Sequence, residues 1–300
     1  MTMLIAGSSN KVLAENIARL LNMPITHCNI SSFHDKEISV VIDADLAYQD
    51  VYIIQSTSSP ANDTLMELLF IADAVRRSNV KSITAIIPYY GYGRQDRRMS
   101  DNGPISASCV AMLLESIGIK RIITVDLHSK HIESFFRVPV VNVCPLKSFV
   151  GIITQEKLVN CVIVSPDTGG INRTRKVSSY LNLPFIIINK KRNAIGECKA
   201  ESIIGDVKGK NCYIIDDIVD TGGTLCQAVD ILLANGAVGV YAYITHGVLS
   251  ALAYKKIHNS YLKSLYISDS IYNAKSYSNN KIKVLSIAPL LAEQLQILHQ

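Results

Sequence analysis

Nine consecutive residues, Asp216-Asp217-Ile218-Val219-Asp220-Thr221-Gly222-Gly223-Thr224, bring together three carboxylates, two threonine hydroxyls and two adjacent glycines. The apolar run Tyr213-Ile214-Ile215 before them reads as a strand, and the pattern from Leu225 onward as a helix. Gly222 and Gly223 allow close approach of the backbone to an anion and a positive φ. The start of the following helix adds free amides and a partial positive charge. With the hydroxyls of Thr221 and Thr224 as donors, a phosphate fits this end. The carboxylates of Asp216, Asp217 and Asp220 would repel a phosphate. They are better matched to sugar hydroxyls, accepting directly or through a cation. Donors at one end and carboxylates at the other suit a ribose carrying a terminal phosphate. A capped helix after a turn is the simpler alternative, but a cap needs neither three aspartates nor two glycines.

Further polar residues sit where strands are expected to end. Arg94, Gln95 and Asp96 follow the strand-like run Ile83 to Pro88 and the turn Tyr89 to Gly93. Lys190 and Arg192 follow the run Phe185 to Ile188, and the polar stretch from Asn193 to Glu201 suggests a mobile flap. Asp167 stands at a strand end before Gly169-Gly170, a natural partner for a hard cation. His128 closes the run Arg121 to Asp126. Bland readings stand beside these. Arg97, Arg98, Lys190 and Arg192 also fit solvated basic turns, Phe33 fits a core position, and His128 and His131 could sit three apart on a helix.

The elements that must position these residues occur twice. Met3-Leu-Ile-Ala-Gly-Ser-Ser-Asn opens a segment that closes at Leu21-Asn22-Met23-Pro24, and Val162-Ile-Val-Ser-Pro-Asp-Thr-Gly opens one that closes at Leu181-Asn182-Leu183-Pro184. The echo continues from Val51–Ile54 to Cys212–Ile215, with Thr64-Leu65 matching Thr224-Leu225. Each half reads strand, loop, helix, strand, which implies parallel sheets with helices on both faces. The join is expected near Pro145, and Ala288 to Gln300 reads as a last amphipathic helix.

The segment DDIVDTGGT resembles the phosphoribosyl-binding loop shared by type I phosphoribosyltransferases and ribose-phosphate pyrophosphokinases. Two related halves favour the second family, and so do further motifs spread over nearly the whole chain. These are Phe33-His-Asp-Lys-Glu37, Asn62 to Leu68, Arg94-Gln95-Asp96-Arg97-Arg98, Pro104-Ile105-Ser106-Ala107, Asp126-Leu127-His128, Val164 to Gly170 and Gly205-Asp206-Val207. The resemblance implies an α/β fold of two tandem, internally duplicated type I phosphoribosyltransferase-like domains, each a parallel sheet flanked by helices. Residues 1–145 would form the ATP side and 146–300 the ribose 5-phosphate side, with the last helix, 288–300, free to pack back on the first domain and the active site between the two. The implied chemistry is transfer of pyrophosphate from ATP to the anomeric hydroxyl of ribose 5-phosphate. In that scheme Arg94, Gln95 and Asp96 contact ATP, while Phe33, Asp35 and Glu37 recognise adenine from a neighbouring subunit. His128 and Asp167 hold magnesium, and Lys190 and Arg192 are catalytic. Asp216, Asp217, Asp220, Thr221, Gly222, Gly223 and Thr224 bind the sugar phosphate. Self-association is implied, a hexamer ahead of a dimer.

The pattern departs at Asn102, Ser108, Lys130, Glu133 and Val141, where regulated members of the family place residues for phosphate and nucleoside-diphosphate control. Weakened regulation is therefore expected. A non-catalytic regulatory paralogue and a nucleobase phosphoribosyltransferase are the competing readings. Composition narrows the field further. The 300 residues suit two domains, 48% of them are hydrophobic, and the net charge of +5 is spread without a basic face for nucleic acid. Seven cysteines without CxxC spacing fit reduced thiols in a cytoplasm. Neither a secretory signal nor a membrane-spanning run is expected.

Overall fold

The computed structural model describes residues 2–156, 159–192, 198–250 and 252–299; along 190–192, along 198–201 and at 299 it describes the backbone alone. The chain divides into two units. Met1–Cys144 with Asp269–Tyr272 and Ser286–Gln300 form the first, and Pro145–Ser268 with Asn273–Leu285 form the second.

The first unit runs β1 (Thr2–Ala6), α1 (Lys11–Leu21), β2 (Ile25–Thr26), β3 (Cys28–Ser32), β4 (Ile38–Ile42), β5 (Asp50–Ile54), α2 (Ala61–Arg77), β6 (Ser82–Ile87), α3 (Ser106–Ser116), β7 (Arg121–Val125) and β8 (Val140–Val143). The second runs α4 (Leu146–Glu156), β9 (Cys161–Ser165), α5 (Ile171–Leu181), β10 (Phe185–Arg192), β11 (Cys198–Ile204), β12 (Asn211–Val219), α6 (Gly223–Ala234), β13 (Gly239–Gly247), α7 (Ala253–Asn259), β14 (Ser264–Ser268), α8 (Ala274–Tyr277) and β15 (Ile282–Leu285). The closing helix α9 (Ala288–His299) belongs to the first unit.

The sheet orders reveal the duplication directly. The first sheet is β2-β1-β5-β6-β7-β8 and the second is β11-β10-β9-β12-β13-β14-β15. Apart from the additional edge strand β11, each strand of one sheet has its counterpart at the same place in the other. Every pair in both sheets is parallel except β10–β11. β3 and β4 form a separate antiparallel hairpin.

Period-two alternation assigns the strand residues to opposite faces. In β5, Ile53 joins the layer made with Leu68, Ile71 and Val75 of α2, while Tyr52 and Ile54 join Leu13 and Ile17 of α1 and Leu291 and Leu295 of α9. In the second unit, Cys212 and Ile214 pack with Leu225 and Val229 of α6, and Tyr213 and Ile215 with Phe149 of α4 and Val177 of α5. Each such Ile or Leu, removed from water, contributes about 1.5–3 kcal/mol. The echoed Leu-Asn-x-Pro segments have one physical cause. Asn22 and Asn182 end α1 and α5 in the left-handed region, at φ 52° and 51°. Asn is among the few residues that tolerate it.

Two expectations about element ends are corrected. β12 continues to Val219, so Asp216 and Asp217 lie in the strand rather than in a loop, with Asp216 opposite Ile244. β10 continues to Arg192, so Lys190 and Arg192 lie in a strand and not in a turn after it. Lys190 is opposite Ala200 and Arg192 opposite Cys198. Of the expected flap, 198–201 is strand, and 193–197 lies outside the described residues. Antiparallel pairing overrides the low strand preference of Lys and Asn here, because the ladder satisfies the backbone.

Candidate functional site

In the second unit the site begins where β12 passes into α6. Gly222 stands at the helix cap with φ +75° and ψ −3°, a left-handed conformation that favours glycine. The helix begins at Gly223, two residues earlier than the sequence pattern suggests, so Gly223 and Thr224 fall in its first turn. Thr221 and Thr224 are exposed and Gly223 is half-buried. Gly222, having no side chain, cannot itself cap the first-turn amides. Asp220 Oδ1 accepts from the Ser250 hydroxyl.

The carboxylates converge from two strand ends. Asp167 follows β9, and its Oδ1 accepts from the amides of Gly169 and Gly170 at 2.9 and 3.1 Å. Asp216 accepts from the Asp217 amide at 3.0 Å. Asp217 lies on the face of the sheet that carries Tyr213 and Ile215, the face on which α5 packs. There it meets Arg173 of α5, with Nη1 and Oδ1 3.4 Å apart and the two side chains only 12% and 8% exposed. Burial pushes the Asp216 carboxyl well above the usual carboxylate range. The charge of Asp217, a hydrogen bond with it and the charge of Asp167 add to the effect, and Arg173 opposes it. The structure thus gathers Asp167, Asp216 and Asp217 into one acidic cluster facing one guanidinium. Motif reading passes over Arg173 and Ser250; the only signal for Arg173 is its place in the first turn of α5, after Gly169-Gly170.

A raised folded-state pKa makes a signed prediction. Above that pKa the fold carries the cost of ionising Asp216, and the cost disappears as pH falls through it toward the unfolded value. Asp216→Asn, neutral at every pH, is expected to raise the melting temperature of the ligand-free protein at pH 7 by about 2–4 °C. Thermal denaturation followed from pH 7 to pH 4 should show the gap narrowing.

In the first unit, the turn after β6 and the turn after β7 meet. Asp96 Oδ2 accepts from Ser129 Oγ at 2.6 Å, next to the exposed His128, and Gln95 Oε1 accepts from Ser106 Oγ at 2.6 Å. Arg94 and Gln95 are exposed. Phe33, Asp35 and Glu37 occupy the tip of the β3–β4 hairpin. Asp35 holds the Glu37 amide at 3.1 Å, and Phe33 is 59% exposed, so the core position open to it in the sequence is not the one it takes. At the matching strand ends of the first unit, after β1 and β5, the chain's own polar groups bind one another. Glu67, 5% exposed, accepts from the Ser8 amide at 2.6 Å and from Gln55 Nε2 at 2.8 Å.

The donor chemistry fits magnesium. Asp167 offers carboxylate oxygen, while among the described residues no group of three or more His, Cys, Asp or Glu could hold a metal ion on its own. Magnesium ordinarily takes one or two protein carboxylates and completes its shell with phosphates and water. No helix among the described residues is long and apolar enough to cross a membrane.

Fold and site define a tandem α/β protein with a glycine-capped helix start and carboxylates at the carboxyl ends of parallel strands. The chain belongs to the ribose-phosphate pyrophosphokinase family. Residues 2–118 match the N-terminal domain of ribose phosphate pyrophosphokinase, and 158–300 match the phosphoribosyl synthetase-associated domain. The ribose-phosphate pyrophosphokinase of Mesorhizobium japonicum is 48% identical over 295 residues, covering 97% of this chain and 95% of that one. The Campylobacter jejuni protein of the same name is 43% identical, covering 97% and 94%. The crystal structure of phosphoribosylpyrophosphate synthetase from Mycobacterium smegmatis superposes with a TM-score of 0.94 at 36% identity, covering 99% and 98%.

Proposed function

We propose that this chain transfers the pyrophosphoryl group of ATP to the anomeric hydroxyl of ribose 5-phosphate, giving phosphoribosyl pyrophosphate and AMP for nucleotide biosynthesis. The observation that carries this reading is the passage from β12 to α6, three aspartates leading into a left-handed Gly222 at a helix start, in a chain of this family. The 5-phosphate is held by the first-turn amides of α6 with Thr221, Gly222, Gly223 and Thr224. Asp216, Asp217 and Asp220 accept from the sugar hydroxyls.

ATP is held by Arg94, Gln95 and Asp96. Phe33, Asp35 and Glu37 serve the adenine of a neighbouring copy, a role supported by the exposure of Phe33 at a hairpin tip. Self-association follows, a hexamer ahead of a dimer, and the reaction takes place in the cytoplasm. The anomeric oxygen bonds to the β-phosphorus of ATP, the bond from that phosphorus to the bridging oxygen of AMP breaks, and the hydroxyl proton is lost to solvent. Such a transfer depends on positioning and charge stabilisation more than on a covalent nucleophile. Lys190 and Arg192 supply positive charge to the group in transfer. Asp167 and His128 are each proposed to hold magnesium, directly or through water, which would neutralise the donor phosphates.

Incubation with ATP, magnesium and ribose 5-phosphate tests the reading. AMP should form only when the sugar phosphate is present, and its absence would leave a regulatory role instead. Because Asn102, Ser108, Lys130, Glu133 and Val141 depart from the regulated pattern, added inorganic phosphate should change the rate by no more than about twofold, below the roughly fivefold low end of allosteric coupling. Steep activation in a phosphate titration would overturn that expectation.

A further inference from the structure

The turn that carries His128 is held by a chain of hydrogen bonds with a fixed direction. Past Val125 the sheet ends. The Asp126 amide still reaches the Val143 carbonyl at 2.9 Å, and Asp126 then turns the chain at φ +43°. Leu127, 6% exposed, therefore needs an acceptor for its amide away from the ladder. Asn142 of β8 provides it, with Oδ1 at 3.2 Å. An asparagine amide can present either its oxygen or its nitrogen, and its surroundings decide which. Here Glu133 decides. Its Oε1 accepts from Asn142 Nδ2 at 3.0 Å, and a carboxylate can only accept. The nitrogen is drawn to Glu133 and the oxygen is left for Leu127. On the other side of His128, Ser129 is tied to Asp96 at 2.6 Å.

We infer that Glu133 and Asn142 are positioning residues, whose donor–acceptor order fixes the turn bearing His128, with Asp96 as the second clamp. The consequence for catalysis rests on the proposed function; the brace itself does not.

Reversing the order of the pair tests the inference. Asn142→Asp sets two carboxylates against each other, while Asn142→Asp with Glu133→Gln restores one donor and one acceptor with the Leu127 amide still served. In the single variant, KM for ATP should rise about tenfold and the Leu127 amide should exchange its hydrogen about tenfold faster, in keeping with the loss of one part-buried hydrogen bond to a charged group. KM for ribose 5-phosphate should stay within about twofold. In the double variant both quantities should return to within about threefold of the parent. A single variant indistinguishable from the parent would overturn the inference. So would a double variant as impaired as the single one, including the case where both merely lose thermal stability. If the parent protein forms no AMP, the proposed function fails, and amide exchange at Leu127 still decides the brace.

Discussion

Lys190→Ala is expected to slow AMP formation by about two to three orders of magnitude, the range found when one preorganised donor to a developing charge is removed. The position follows from the backbone. β10 pairs with β9 up to the register of Ser165, two residues before Asp167, and then continues as one arm of the β10–β11 hairpin through Lys190 to Arg192. A lysine on this arm follows a strand that leads past the acidic cluster, whose own charges would repel the phosphates of a donor. Replacing it with alanine leaves the ladder hydrogen bonds, which are made by the backbone, and so should spare the fold. Steady-state rates with saturating substrates, alongside thermal denaturation, separate the two effects. A rate within about threefold of the parent would remove Lys190 from the mechanism.

The two adjacent glycines at the start of α6, Gly222 and Gly223, should respond in opposite ways. A Cβ on Gly223 would meet only Thr221 Oγ1, at 3.7 Å, an ordinary contact, and the backbone there is helical. Gly223→Ala should therefore fold as the parent does. Its methyl group would nevertheless occupy the space in which first-turn amides approach a phosphate, and affinity for ribose 5-phosphate should fall about a hundredfold, the loss of two charge-assisted hydrogen bonds. Gly222→Ala places a Cβ on a residue at φ +75°, a strain that costs about 1–2 kcal/mol. It should lower the melting temperature by several degrees before any effect on binding is considered. Titration calorimetry with ribose 5-phosphate and thermal denaturation of both variants check the pair. Normal affinity in Gly223→Ala would mean that no phosphate approaches the start of α6.

Much of the molecule was legible in the residues. The Leu-Asn-x-Pro echo marked two left-handed helix ends, and the apolar runs marked parallel strands buried on both sides. DDIVDTGGT announced a glycine turn into a helix, with a glycine at the one position of the segment whose φ requires it. Element ends were less legible. The sequence pattern stops β10 at Ile188, because Lys, Arg and Asn are poor predictors of a strand, yet pairing with β11 carries it on to Arg192. Phe33 shows the same limit: its apolarity suggested burial, and the turn of the hairpin placed it outside.

What the sequence determined by itself was local. Residue type sets the preferred φ of Gly222 and Asn182, the alternation along β12, and the chemistry that three carboxylates and a glycine pair can perform. Packing of the elements settles which groups meet. Asp217 faces Arg173, 44 residues away, because alternation turns it toward the sheet face on which α5 packs. Asp167 joins Asp216 because β9 and β12 are neighbours in the sheet although they are far apart in the chain. Burial at those strand ends then raises the pKa of Asp216, a property of the environment that no spacing of residues encodes. The glycine turn before α6 could be read from the sequence, whereas the electrostatics of the carboxylates before it belong to the fold.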